Sequence, residues 1–134
     1  MKKAFSLVEL LSTIAIVTIL AAVAVPRFSK SRERGEANHA VKVLREILMA
    51  QKVHYAKVGD YECVLTSCAN ATEIETALGI KIRSDAYVFS VTATAAPGDT
   101  FTATATKSVG NTLTLDQDGV WGSSGDQVKY QPTA

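Results

Sequence analysis

Cysteine and histidine are nearly absent from this chain of 134 residues, which carries two of each, Cys63, Cys68, His39 and His54. The cysteines have no spaced histidine or further cysteine beside them, so the ligand set of a zinc site is missing. His39 and His54 fall on a presumed helix, too far apart for an i, i+4 metal pair. They read as solvated or packing residues. Aromatic residues make up only 7 % of the chain, and Tyr87, Phe89, Phe101 and Trp121 read as core rather than as a path for electrons. No excess of either charge exists either. The formal net charge is +1, which gives no global signal for nucleic acid, and Lys42, Arg45, Lys52, Lys57, Lys81, Arg83, Lys107 and Lys129 read as scattered solvated cations rather than a DNA-attracting stripe. A phosphate-cradling glycine loop, a nucleophile elbow, a paired-histidine metal motif and a complete EF-hand loop are all lacking. The expectation is therefore a protein that is not an enzyme, with no cofactor, no metal and no catalytic residue.

What the chain does have is a long apolar run. From Phe5 to Val25 the sole charge is Glu9. At about 1.5 Å rise per residue a helix of this length spans a hydrocarbon core of about 30 Å. A charge in lipid is costly, of the order of 2.5–3.5 kcal/mol on insertion scales for Asp or Lys at mid-helix, so Glu9 calls for a neutralising partner. A basic Met1-Lys2-Lys3 and a small Ala4 precede the run, and Pro26 closes it.

This N-terminus, Lys2-Lys3-Ala4-Phe5-Ser6-Leu7-Val8-Glu9-Leu10 and the apolar stretch after it, resembles that of a type IV prepilin. The resemblance implies that a prepilin peptidase cuts between Ala4 and Phe5 and methylates the new amine of Phe5. It further implies that Glu9, the fifth mature residue, pairs with the positive N-terminus of a neighbouring subunit during assembly. Ala4 departs from the pattern, since the family usually has Gly before the cut. The implied function is a structural subunit of a type IV pilus-like filament, held in the bacterial inner membrane as a precursor and then carried in an extracellular or periplasm-spanning polymer. Its implied partners are further copies of itself, the peptidase, and an inner-membrane assembly platform with its ATPases, which would supply the force. The alternatives are a pseudopilin of a type II secretion system, or a minor pilin acting as adhesin or DNA receptor.

Two plainer readings compete for the same segment. As a secretory signal, Lys2 and Lys3 would form the basic region and Ala22-Val23-Ala24 the cleavage site, but the apolar run exceeds the usual 7–15 or so residues and contains Glu9. A simple membrane anchor is compatible with later assembly. Arg27, Lys30, Arg32 and Arg34 follow the span, so the positive-inside rule alone does not put the C-terminus outside; the resemblance favours export. In an exported domain Cys63 and Cys68 can form a disulfide closing a short loop, the alternative being two free thiols. Many pilins instead close a C-terminal region in this way.

The expected organisation is a leader at 1–4, a hydrophobic transmembrane and assembly helix at 5–25, an amphipathic helix at 26–58, and a globular region at 59–134. Pro26 is expected to kink the helix or to end it, with a second helix starting afresh. Gly35 is a second weak point. Ala37, Ala40, Val41, Leu44, Ile47, Leu48, Tyr55 and Val58 recur at spacings near three or four, the stripe of an amphipathic helix that accepts a sheet. If continuous, Phe5 to about Lys57 would measure roughly 80 Å. Thr72-x-x-Glu75 resembles a capping box opening a short helix that stops at Gly79, and Asn70-Ala71-Thr72 matches a glycan acceptor better explained by that cap. From Tyr87 the period changes to two. Strands are expected around Tyr87, Phe89 and Val91, around Phe101, Ala103 and Ala105, around Leu113 and Leu115, and at Val120-Trp121, with a turn at Ala96-Pro97-Gly98-Asp99. The fold class is α+β: a long N-terminal helix packed on a small antiparallel meander. Asp116, Asp118 and Asp126 form a weak calcium cluster whose plainer reading is turn chemistry. The tail after Gly122 is expected to be mobile or loosely draped.

Overall fold

The computed structural model describes residues 6–64, 68–83, 86–94 and 99–132. The predicted leader, with Ala4 and Phe5, and positions 96–98 of the predicted turn lie outside the described residues. Two compact units divide the chain, Met1–Gly35 and Glu36–Ala134. The first helix, α1, runs from Leu7 to Val58 and supplies residues to both. Its backbone stays helical through Pro26 and Gly35, which corrects the reading in which a second helix starts afresh after the proline. The ladder begins where the Leu10 N–H donates to the Ser6 carbonyl at 3.1 Å. It ends at Gly59, whose φ of +85° lets its N–H return to the Tyr55 carbonyl at 2.8 Å, a left-handed cap that suits glycine.

In the second unit the α1 stripe is Ala37, Ala40, Val43, Leu44, Ile47 and Leu48, all buried. The predicted stripe overreached at its C-terminal end, because Tyr55 and Val58 are 40 % and 65 % exposed. Gln51 takes the last inward position instead, fully buried. Its amide donates to the Glu62 carbonyl at 3.1 Å and accepts from the Glu62 N–H at 2.9 Å. The loop after α1 is thereby folded back on the helix, and a buried polar side chain meets its hydrogen-bonding needs.

The short helix α2, Ala71–Leu78, is capped two residues earlier than Thr72-x-x-Glu75 suggests. Asn70 adopts the extended backbone of a cap and accepts from the Glu73 N–H at 3.0 Å, while the Glu73 carboxylate accepts from the Ala69 N–H at 2.7 Å. Thr72 already lies inside the helix, and Glu75 accepts from the Ile82 N–H at 2.6 Å. The cap at Gly79 agrees with the sequence.

Four strands follow: β1 (Val88–Thr94), β2 (Thr100–Ser108), β3 (Asn111–Asp116) and β4 (Trp121–Ser123). They pair antiparallel in the order β1-β2-β3-β4, the expected meander, with β4 beginning at Trp121 rather than Val120. Alternation along each strand sends Phe89 and Val91, Phe101, Ala103 and Ala105, and Leu113 and Leu115 to the buried face, and threonines to the other. These side chains, the α1 stripe from Ala40 to Leu48 and Ile74 of α2 form one core.

The tail is anchored rather than draped. Gly125–Tyr130 forms a 3-10 helix whose Gln127 is buried and accepts from the Tyr87 hydroxyl at 2.6 Å. Ser124 Oγ donates to the Gly110 carbonyl at 2.8 Å and the Asp126 N–H to Asn111 Oδ1 at 2.7 Å. The Gly and Ser residues that suggest looseness are there because the chain must pass close to the β2–β3 turn. At Gly125, with φ +60°, a Cβ would run into Asn111 Oδ1 and the Gly110 carbonyl.

Candidate functional site

The first unit carries the residues that set this chain apart. Every described residue from Ser6 to Val25 is exposed, with Leu7 at 73 % and Ile19 at 67 %. An 18-residue window reaches a mean hydropathy of 2.4 with none of it buried, which makes α1 long and apolar enough to cross a membrane. A helix greasy on all sides belongs in lipid or inside a bundle of other helices, since it has no polar face to turn to water.

Polar side chains within the segment are of two kinds. The hydroxyls of Ser12, Thr13 and Thr18 donate to the carbonyls of Glu9, Leu10 and Ile14 at 2.9, 2.8 and 2.7 Å. They are satisfied inside the helix and need no outside partner. Glu9 is different. Its carboxylate has no hydrogen-bond or ion-pair partner among the described residues. It occupies the first turn of α1, where the helix dipole favours an anion, but that contribution falls short of the cost of an unpaired charge in lipid. A cation supplied from outside the described residues would complete the site.

Residues 1–25 match the family model described as the prokaryotic N-terminal methylation motif. Over 84 residues, 63 % of this chain, the sequence is 30 % identical to the type IV major pilin protein PilA of Myxococcus xanthus. The chain resembles type IV pilins in this N-terminal motif and over the aligned stretch. It spans only 38 % of that relative's length, and no solved structure matches it.

The other residues singled out in this pilin-like chain do not converge on Glu9. Pro26 lies within α1 in the first unit, whereas Cys63 and Cys68 belong to the second. The cysteines form a buried disulfide with Cα atoms 5.5 Å apart. The Cys68 carbonyl accepts from the Val91 N–H of β1 at 2.8 Å, so the bridged loop is fastened to the sheet. His54 lies 3.5 Å from Glu62 and His39 is exposed. Among the described residues no group of three or more His, Cys, Asp or Glu gathers as metal ligands. Asp116 instead accepts from the N–H groups of Asp118 and Val120 at 3.0 and 2.8 Å, holding the β3–β4 turn.

Several of the basic residues are engaged within the fold. Arg45 lies over Trp121 at 5.7 Å, Lys129 over Tyr130 at 5.1 Å, and Lys107 pairs with Glu36 at 2.9 Å. Tyr61 packs between Tyr55 and Phe101, with ring centroids 4.7 and 4.9 Å away. Burial pushes its phenol above the usual value of 10.0, and Tyr55, Asp118 and Asp99 add to the rise. Gln51 and Gln127 were invisible to sequence reasoning, because a glutamine carries no period and no motif.

Proposed function

We propose that this chain is a filament-forming subunit of a type IV pilus. A peptidase cleaves between Ala4 and Phe5 and methylates the Phe5 amine. The segment 5–25 holds the subunit in the bacterial inner membrane until an assembly platform and its ATPases draw it into the polymer. Within the polymer the positive N-terminus of one subunit meets the Glu9 carboxylate of the next, and the apolar faces of neighbouring helices cover one another. Pro26 bends the helix between this segment and the 26–58 stretch that carries the 59–134 region. The filament then serves at the cell surface in adhesion and motility.

The observation that carries this reading is Glu9, the one charged side chain of the apolar stretch, which has no partner among the described residues. Burying a lone carboxylate in an apolar bundle is unfavourable, and a matched, hydrogen-bonded cation removes most of that cost. The relative's name as a major pilin favours a surface pilus over a secretion pseudopilin. Mass spectrometry of the mature N-terminus tests the processing, with a methylated Phe5 expected and a start near Val25 refuting it. Electron microscopy of sheared surface material tests the polymer, with filaments of this chain alone expected.

A further inference from the structure

Beyond the apolar span, α1 runs directly into a cationic stretch of the first unit. Arg27, Lys30, Arg32 and Arg34 stand there against a single acid, Glu33, and all five side chains are exposed. Arg32 and Glu33 have interactions of their own. Arg27, Lys30 and Arg34 have no hydrogen-bond or ion-pair partner among the described residues. These three follow one another at spacings of three and four, which puts them on one side of the helix within about 60° of arc.

Depth separates them from ordinary solvated cations. With 5–25 filling a hydrocarbon core of about 30 Å, the headgroup layer beyond it is about 5–8 Å thick. At about 1.5 Å per residue, Arg27 lies about 3 Å past Val25, Lys30 about 7 Å and Arg34 about 13 Å. Side chains of a helix lean toward its N-terminus, which here is back toward the bilayer, so the long stems of Lys30 and Arg34 shorten the gap to the lipid phosphates. Phe28, 72 % exposed, sits among the cations, an apolar ring that the acyl boundary covers and water does not. A positive flank on the exported side also runs against the bias that keeps Lys and Arg cytoplasmic. An anionic partner on that same side offsets the cost.

We propose that Arg27, Lys30 and Arg34 form a binding face for the phosphates of anionic phospholipids in the leaflet from which the chain emerges, and that this contact holds the waiting subunit at a fixed depth. The inference rests on the membrane stage of the filament reading and assigns residues to a lipid contact at the foot of the span. It draws on charge complementarity and on continuity with the segment that the membrane already covers.

The test uses the full chain in phosphatidylcholine vesicles, carrying a fluorophore on Ser31→Cys beside the cations; Cys63 and Cys68 are bonded to each other and stay silent. Quenching by a trace of labelled phosphatidylglycerol should exceed quenching by identically labelled phosphatidylcholine about fivefold, the factor that one cation contributes at an anionic surface. The excess should vanish when Arg27→Gln, Lys30→Gln and Arg34→Gln are made together, substitutions that leave helix propensity nearly unchanged. Removing the same charge from exposed positions of the second unit, with Lys42→Gln, Lys52→Gln and Lys57→Gln, should leave it in place. Equal quenching by the two lipids, or an excess that survives the first triple variant, overturns the inference. So does an excess erased by inorganic phosphate at matched ionic strength, which would make the ligand a free anion. A chain that stays embedded through a carbonate wash without the excess overturns the lipid contact alone, whereas one that washes off overturns the membrane stage as well.

Discussion

Replacing Gln51 with leucine should loosen the loop that carries the disulfide. Gln51 is fully buried and engages both the N–H and the carbonyl of Glu62, at 2.9 and 3.1 Å. Leucine fills a similar volume but leaves both backbone groups without their partner. An orphaned buried polar group costs about 1–3 kcal/mol. Burying the leucine offsets part of this, by about 1.5–3 kcal/mol at full burial. Half-burial of Glu62 admits some water and places each of the two costs near the middle of that range, about 2 kcal/mol, so a net loss of about 1–2 kcal/mol is expected. For a unit of this size that lowers the melting temperature by roughly 4–16 °C. Circular dichroism of the full chain in detergent reads the melt, and hydrogen exchange reads the Glu62 amide, which should lose protection. A leucine variant that melts with the wild type and keeps that amide protected would refute the claim that this glutamine folds the loop back.

Four further outcomes are expected. Replacing both Cys63 and Cys68 with alanine should cost about 2 kcal/mol in the chain-entropy account of a short closed loop, read as an earlier melt with faster exchange at the Val91 amide. Gly125→Ala should cost about 1–3 kcal/mol through strain at a positive φ against the Gly110 carbonyl, and proteolysis should then release the tail after Gly122. Gly35→Ala should raise the stability of α1 by about 0.4–1 kcal/mol, since an added methyl meets nothing within 4 Å; a lower melt would show that the position needs glycine. Tyr61 predicts the alkaline behaviour. Its phenol ionises later in the fold than in the unfolded chain, so above about pH 10 the unfolded state holds fewer protons and stability falls as pH rises. Tyr61→Phe should flatten that slope, and an unchanged slope would count against the assignment.

The sequence made the architecture legible because its signals are local. A run without charge except Glu9, a stripe through Ala37, Leu44 and Ile47, and a change to alternation at Tyr87 each depend on neighbours within a few residues. What escaped depends on distant partners. Whether Tyr55 is inside or out is decided by where the loop at Glu62 returns, and no property of α1 contains that. Gln127 is buried because Tyr87, forty positions earlier, reaches it. The cap of α2 departs from the expected one for a different reason: Asn70-x-x-Glu73 and Thr72-x-x-Glu75 both fit the spacing, and the backbone takes the first, leaving Glu75 to hold Ile82. In the apolar segment an isolated acid stands out from the sequence itself, because its signal needs only its immediate neighbours.

The most direct test of that acid is the partition of a Glu9→Ala chain between the membrane fraction and sheared filaments. Membrane content should equal or exceed the wild type, because the span has lost its one charge, while incorporation into filaments should fall at least tenfold. Filaments that take up the variant as readily as the wild type would contradict the pairing of Glu9 with a neighbouring N-terminus.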